Sequence, residues 1–420
     1  MKELRCFFLS FAIGLIMFPL LSGQEPCTAM EQKALQEKRD PLYAWREQQI
    51  ETFTEEWIAA GQEAARAREI VTIPVVVHII WNEEAENLSD EQIASQIEAL
   101  NADFRLLNSD IARLPLSFSG LAADCEIEFC LASLDPQGFP TSGITRTQTN
   151  NKCIGQEVTI DNRQAIHYTK LGGSDAWDPT QYLNIWVGNL CGVLGRGSFP
   201  SQAGGPEDGV VVDPANFGTL GILPPYHLGR TLTHEVGHYF NLRHIWGSST
   251  DECDDDGVED TPLQKSFYLG CPPHPQVSCG SEDLLMNYMN YTDDACMYLF
   301  TKGQKERMLA ALYGPRSSLL NSKGCALDPP GELPIGLKEE NVLLVPNPTT
   351  GPFVVQVMIQ DNALASIEII NSQGQVVRAL ERYIRESRPI DLSHFPDGIY
   401  FVRITIEQQQ VVKKLLLTKE

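Results

Sequence analysis

One stretch constrains this chain more than any other: His234-Glu-Val-Gly-His-Tyr-Phe-Asn-Leu-Arg-His244. Residues four apart share one face of a helix, so His234 and His238 can turn two imidazoles toward one spot. Glu235 sits beside them, close enough to work on a water held there. His244, just past the helix end, adds a third nitrogen. Three nitrogens with one open position are how a catalytic zinc is held; a structural site closes all four positions. The spacing predicts a zinc hydrolase with His234, His238 and His244 as ligands. His227 is the rival third ligand, but it falls near the helix start. His78, inside an apolar run, reads as a core histidine.

The bulk numbers narrow the partners. A formal net charge of -23 argues against nucleic acid, because phosphate binding needs a basic face. An acidic surface favours solubility and suits calcium, but names no substrate. Lys2 and Arg5, an apolar run over 7–21, then Ser22-Gly23 read as a secretory signal over residues 1–23. The run is short for a span of ~30 Å. No other long apolar run exists, so no transmembrane anchor is expected. Of the 11 cysteines, Cys6 leaves with the signal; in an exported chain the rest suggest disulfides.

In order, residues 24–69 are charged and helix-prone, with Ile50, Phe53, Trp57 and Ile58 spaced as one face. Cys27 stands alone at their front. Two readings stay open: a disulfide with a distant cysteine such as Cys325, or a thiolate filling the open zinc position of a latent precursor. Arg66-Ala-Arg-Glu69 offers an activation cut. Residues 73–81 form a buried strand. A helix follows over 89–104, with Ser89 and Gln92 as a capping box and Ile93, Ile97, Leu100 and Phe104 inward. Strands over 125–131, 143–147, 182–187 and 209–213 complete an α/β order. The glycine-rich residues 190–199 are either an ordinary loop or an edge to which an extended peptide bonds as an added strand. The acidic residues 251–262 are either a solvated loop or a calcium site. A helix covers 302–312, and 329–334 is a linker by composition. From Val342 short alternating strands, at 353–358, 365–370, 376–380, 398–404 and 411–417, predict a small all-β sandwich.

The histidine stretch, followed by Asn287-Tyr-Met-Asn-Tyr291, resembles the metzincin metallopeptidases. Val77-His-Ile, Leu100-Asn-x-Asp-Phe104, Thr141-x-Gly-Ile-Thr-Arg146, Tyr182-Leu-Asn-Ile-Trp186 and Asp256-Gly-Val-Glu-Asp-Thr-Pro262 narrow the likeness to the pappalysin group, on its ulilysin and cytophagalysin side. The resemblance implies a two-lobed catalytic domain: a twisted mixed sheet with a backing helix and the active-site helix above, an irregular lobe below. It implies Met289 as the Met-turn and crossed disulfides Cys253–Cys279 and Cys271–Cys296. It also implies calcium near Asp256, Thr261 and the Val258 carbonyl. Asn241 stands where metzincins usually carry glycine; asparagine tolerates the left-handed turn required there. Met297 stands where relatives cutting before basic residues carry an acid, which argues against assuming basic specificity. A lone cysteine before a Glu-rich helix resembles the latency segments of related precursors. On that assignment Cys125, Cys130, Cys153, Cys191 and Cys325 remain, and five cannot all pair.

Val345-Pro-Asn-Pro-Thr-Thr-Gly351, Gly398-Ile-Tyr-Phe-Val-Arg403 and the closing Lys413-Lys-Leu-Leu-Leu resemble the sorting domain of the type IX secretion system. A generic adhesive β-domain is the competing reading. The whole chain then divides into a signal (1–23), a pro-segment (24–69), a catalytic domain (70–325), a linker (326–341) and a sandwich (342–420). The expected function is a secreted or cell-surface zinc endopeptidase, made latent, with zinc and a structural calcium. It would act on protein or peptide substrates and be exported by the type IX machinery. Glu235 is the expected general base. Tyr291 is either an oxyanion donor or a packed core tyrosine. The alternative is an inactive surface adhesin on the same scaffold; a zinc esterase has only the metal in its favour.

Overall fold

Strand β2, Val71–Trp81, is the spine of the molecule, and residues 73–80 along it are all buried. A strand covered on both faces reads as a continuous apolar run, which is why this one was legible. Pro74 survives in it for a local reason. Val71 N–H and Val77 N–H donate toward one flank, to Glu126 and Gly143 carbonyls. Residue 74 therefore faces the other flank, where pairing with the neighbouring strand begins only at Val75.

The computed structural model describes residues 25–61, 69–156, 159, 163–248, 250–325, 337–357, 363–384, 389–407 and 409–419. The expected signal, the basic stretch 66–68 and linker residues 326–336 lie outside them. The main sheet has seven strands. β2 is flanked by β3 (Ile127–Leu131) and β4 (Ile144–Gln148) on one side and β5 (Leu183–Val187) on the other, all parallel. Beyond β5 come β7 (Val210–Val212), then β6 (Val193–Gly197), antiparallel to it. The glycine-rich stretch is thus an edge strand, and it carries an added strand from this same chain: β1, Glu25–Cys27, runs parallel to it.

Helices α1 (Ala29–Arg39) and α2 (Tyr43–Ala59) follow β1. The backing helix α3, Asp90–Phe104, buries Ile93, Ile97, Leu100 and Phe104 as its spacing predicts. Its capping box is corrected. Ser89 accepts from Gln92 N–H at 3.2 Å, but the Gln92 side-chain amide donates to the Phe217 carbonyl at 2.9 Å. A loop carbonyl 125 residues away has captured the group that would close the box. The active-site helix α4, Arg230–Tyr239, lies beneath β6, with all ten residues buried. Helix α5, Lys302–Tyr313, is held by a full capping box of Thr301 and Gln304.

Four disulfides join Cys130 to Cys325, Cys153 to Cys191, Cys253 to Cys279 and Cys271 to Cys296. Cys27 and Cys125 are free thiols. Cys325, the partner suggested for Cys27, is taken by Cys130. The C-terminal residues fold as an antiparallel sandwich of a four-stranded and a three-stranded sheet. The first holds β10 (Leu364–Ile370), β11 (Val376–Tyr383), β13 (Gly398–Ile406) and β14 (Gln409–Leu417); the second holds β8 (Val342–Val345), β9 (Pro352–Val357) and β12 (Ile390–Asp391). Ile367, Ile369, Val402, Ile404, Leu415 and Leu417 alternate into its core.

Candidate active site

Helix α4 sits close under β6 because two glycines leave room. A side chain at Gly195 would bring its Cβ within 2.9 Å of Glu235 Cγ; at Gly197 it would meet the Glu235 carbonyl at 2.3 Å. Gly237, on the helix itself, makes space for the Met289 sulfur, 2.5 Å from where a Cβ would stand. Met289 is fully buried there, beneath the turn between His234 and His238. After Tyr239 the chain reverses at Asn241, whose φ of 73° is the left-handed conformation expected of it. The reversal delivers His244.

The three imidazoles converge. His234 Nδ1 donates to the Tyr288 carbonyl at 2.7 Å, and His238 Nδ1 to the Leu242 carbonyl at 2.8 Å. Those bonds leave both Nε2 lone pairs pointing inward. His238 Nε2 and His244 Nε2 stand 3.2 Å apart, and His234 Nε2 is buried with no hydrogen-bond partner. Burial lowers the His234 pKa to about 4 and holds His238 and His244 well below the ordinary value, so all three are neutral donors at pH 7. With Cys27 Sγ they form a group whose ligand atoms all lie within 4.8 Å of one another. Neutral lone pairs aimed at each other in a dry pocket repel unless a cation lies among them. Three imidazoles and a thiolate are a zinc donor set.

Glu235 is fully buried, and its Oε1 has no hydrogen-bond partner. Burial pushes its pKa up to about 8. The Cys27 thiol donates to Glu235 Oε2 at 3.4 Å and lies 3.5 Å from His238 Nε2. Burial, then the neighbouring Glu235, raise the thiol well above its ordinary value. Two acidic groups in contact cannot both ionise in a dry site without a cation; a divalent ion between them reverses that logic. β1 brings the thiol here by register: Cys27 sits opposite Gly195, and Thr28 N–H donates to the Gly195 carbonyl at 3.2 Å. Tyr291 hydroxyl donates to the Cys27 carbonyl at 3.3 Å and stands 3.2 Å from His244 Nε2. Burial raises its pKa above the ordinary phenol value.

The other predicted residues fall as follows. His227 is partly exposed, 3.4 Å from the Pro225 carbonyl, and is not in the converging group. His78 is fully buried and bonds Thr145 and Asn184. In the acidic loop, Thr261 Oγ1 lies 2.7 Å from Asp256 Oδ1 and 2.8 Å from the Val258 carbonyl oxygen. Asp256 Oδ2 is buried without a partner, and burial lifts that carboxyl to about 7. The spacing of the motif gave no hint of Trp246, whose ring stacks on His244 at 4.3 Å and 12°. Nor did it hint at Arg307, whose Nε donates to the Asn241 carbonyl at 2.7 Å and so braces the turn to His244. A tryptophan two residues past His244 is the one available sign.

Residues 167–313 match the family described as pregnancy-associated plasma protein-A, Peptidase M43, and residues 344–418 match a secretion system C-terminal sorting domain. An extracellular metalloprotease of Arthroderma otae is 30% identical over 272 residues, which span 62% of this chain and 84% of that one. Mature mirolysin of Tannerella forsythia, solved with a cleaved peptide, is 43% identical, covers 62% of this chain and 99% of its own, and superposes with a TM-score of 0.58. A Tannerella forsythia promirolysin mutant is 38% identical over 73% of this chain and 100% of its own, with a TM-score of 0.63. Among the described residues no helix is long and apolar enough to cross a membrane. The chain therefore belongs to the pappalysin family of metzincins and is a secreted zinc metalloendopeptidase with a C-terminal sorting domain.

Proposed function

We propose that His234, His238 and His244 hold the zinc and that Glu235 is the general base of peptide hydrolysis. Zinc held there would supply a Lewis acid toward a water and the scissile carbonyl. Glu235 takes the proton of the attacking water and passes it to the nitrogen of the leaving amine, so the C–N bond breaks as N–H forms. Tyr291 donates a hydrogen bond to the oxyanion that develops on the carbonyl oxygen. The observation that carries this reading is the convergence of three Nε2 atoms beside the unpartnered Glu235 Oε1. The test is Glu235→Ala in the processed enzyme. Zinc content should stay near one ion while proteolysis disappears; full proteolysis with zinc retained sinks the mechanism.

The same geometry supports latency. Residues 24–69 act as a pro-segment whose Cys27 would join the three histidines in holding the metal, in place of water, and catalysis belongs to residues 70–325. Cys27 lies against Glu235 and His238 and is held by pairing to β6, the edge a substrate needs. Asp256, the Val258 carbonyl and Thr261 hold a structural calcium, supported by the orphaned Asp256 Oδ2. Residues 342–420 carry the export signal read by the type IX machinery. Calcium is tested by the loss of thermal stability on removing that ion with zinc left in place; an unchanged melting temperature counts against it.

A further inference from the structure

The pro-segment is fastened at a second place, distant in sequence from Cys27. On α2, Glu51 receives both forks of one guanidinium, from Arg307 Nη1 at 2.8 Å and Nη2 at 2.5 Å, and Arg243 Nη2 lies 3.4 Å away. The Arg307 side chain is 2% exposed and that of Glu51 23%, so this is a part-buried, bidentate carboxylate socket. Gly257 leaves it room: a Cβ there would sit 3.3 Å from Arg307 Nη1 and 3.6 Å from Glu51 Oε1. Beside the socket, Phe53 packs where Gly314 has no side chain; a Cβ on Gly314 would lie 2.4 Å from the ring. One turn on, Trp57 stacks on Tyr313 with centroids 6.4 Å apart.

We propose that Arg243, Arg307 and Tyr313 form a docking site on the processed enzyme for a helix bearing a carboxylate flanked by aromatic residues. Its occupant is the excised pro-segment helix itself, bound in trans after cleavage. This rests on residues 24–69 being a segment that is cut away. Three features favour that occupant. Removing α2 takes away the carboxylate that satisfies both Nη atoms of Arg307, and a carboxylate on an incoming helix meets the same planar fork bidentately. Nε stays tied to Asn241, so the fork stays aimed. Arg243, Arg307 and Tyr313 are not among the residues that converge with Cys27 on the histidines, so α2 without β1 docks there with the zinc site open.

The test uses enzyme processed from the folded full chain by cleavage between residues 61 and 70. A fluorescent peptide covering residues 41–61, which lacks Cys27, is titrated by anisotropy. Saturable binding is expected, with no change in hydrolysis of a short substrate. Glu51→Gln in the peptide should weaken binding by about tenfold or more, the loss of a hydrogen-bonded charge. The cost of folding the peptide into a helix is shared by both peptides and cancels in that ratio. Arg243→Gln in the enzyme should weaken the wild-type peptide and leave the Glu51→Gln peptide unchanged. The proposal is overturned if no saturable binding is seen, if the two peptides bind equally, or if Arg243→Gln weakens both alike. Cys27→Ala in the precursor reports on latency alone and leaves this titration untouched.

Discussion

Helix α4 and helix α2 are attached to this molecule in opposite ways. All ten residues of α4 are buried, between β6 above and Met289 below. Of the seventeen residues of α2 only Tyr43 and Thr54 are buried, and Trp45 is 59% exposed. The first helix is held by burial on every side and cannot leave without unfolding the core. The second is held along one side, by buried Tyr43, by Phe53 over Gly314 and Trp57 on Tyr313, and by polar contacts of Arg46 with the Ser201 carbonyl and Glu51 with Arg307. Such contacts are specific in geometry and leave most of the helix at least partly exposed. They suit a segment that docks on the core without becoming part of it.

That contrast can be broken from either side. Changes at α4 should remove chemistry and keep the fold, and changes along β1 and α2 should loosen a segment and keep the zinc. The largest effect is expected from Glu235→Gln, a fall in kcat of about 1,000-fold in the processed enzyme with zinc content unchanged, read by fluorogenic peptide turnover and elemental analysis. Tyr291→Phe should cost about 100-fold, chiefly in kcat, through loss of one oxyanion donor. Gly195→Ala pushes on Glu235 from above and should cost about tenfold to 100-fold in kcat; normal turnover would mean the close approach at 2.9 Å is of no consequence. Cys27→Ala should raise the activity of the uncut precursor by about tenfold at least, since a tethered thiolate competes at high effective concentration. Glu51→Gln leaves turnover alone and is the mildest: about 1.4 kcal/mol, or tenfold, less protection of α2 amides from hydrogen exchange, with α4 amides unaffected. Equal loosening of both helices would erase the distinction.

What could be read in advance divides along the range of the interaction. The converging histidines are legible because four-residue spacing on a helix is local geometry, and the turn at Asn241 is local too. The face of α3 and the apolar run of β2 are strong periodic signals. β1 has only three residues and no period of its own; the edge of β6 defines it, so nothing within residues 25–27 announces a strand. β8 and β12 went unread for the same reason, the latter having two residues. Gln92 was assigned to its own helix cap because Phe217 is remote in the chain. Cys130 and Cys325 lie 195 residues apart, a pairing that spacing cannot choose. Glu51 and Arg307 are 256 apart and join through a single fork.

The Cys130–Cys325 bond has a topological consequence. It fastens the chain that leaves α5 to β3, and encloses α4, His244 and Met289 in one covalent ring. A peptide bond broken after Cys325 therefore opens no loop in that ring. Pull or proteolysis arriving through the chain beyond it stops at the crosslink, and the histidine site is mechanically insulated from whatever becomes of the C-terminal residues.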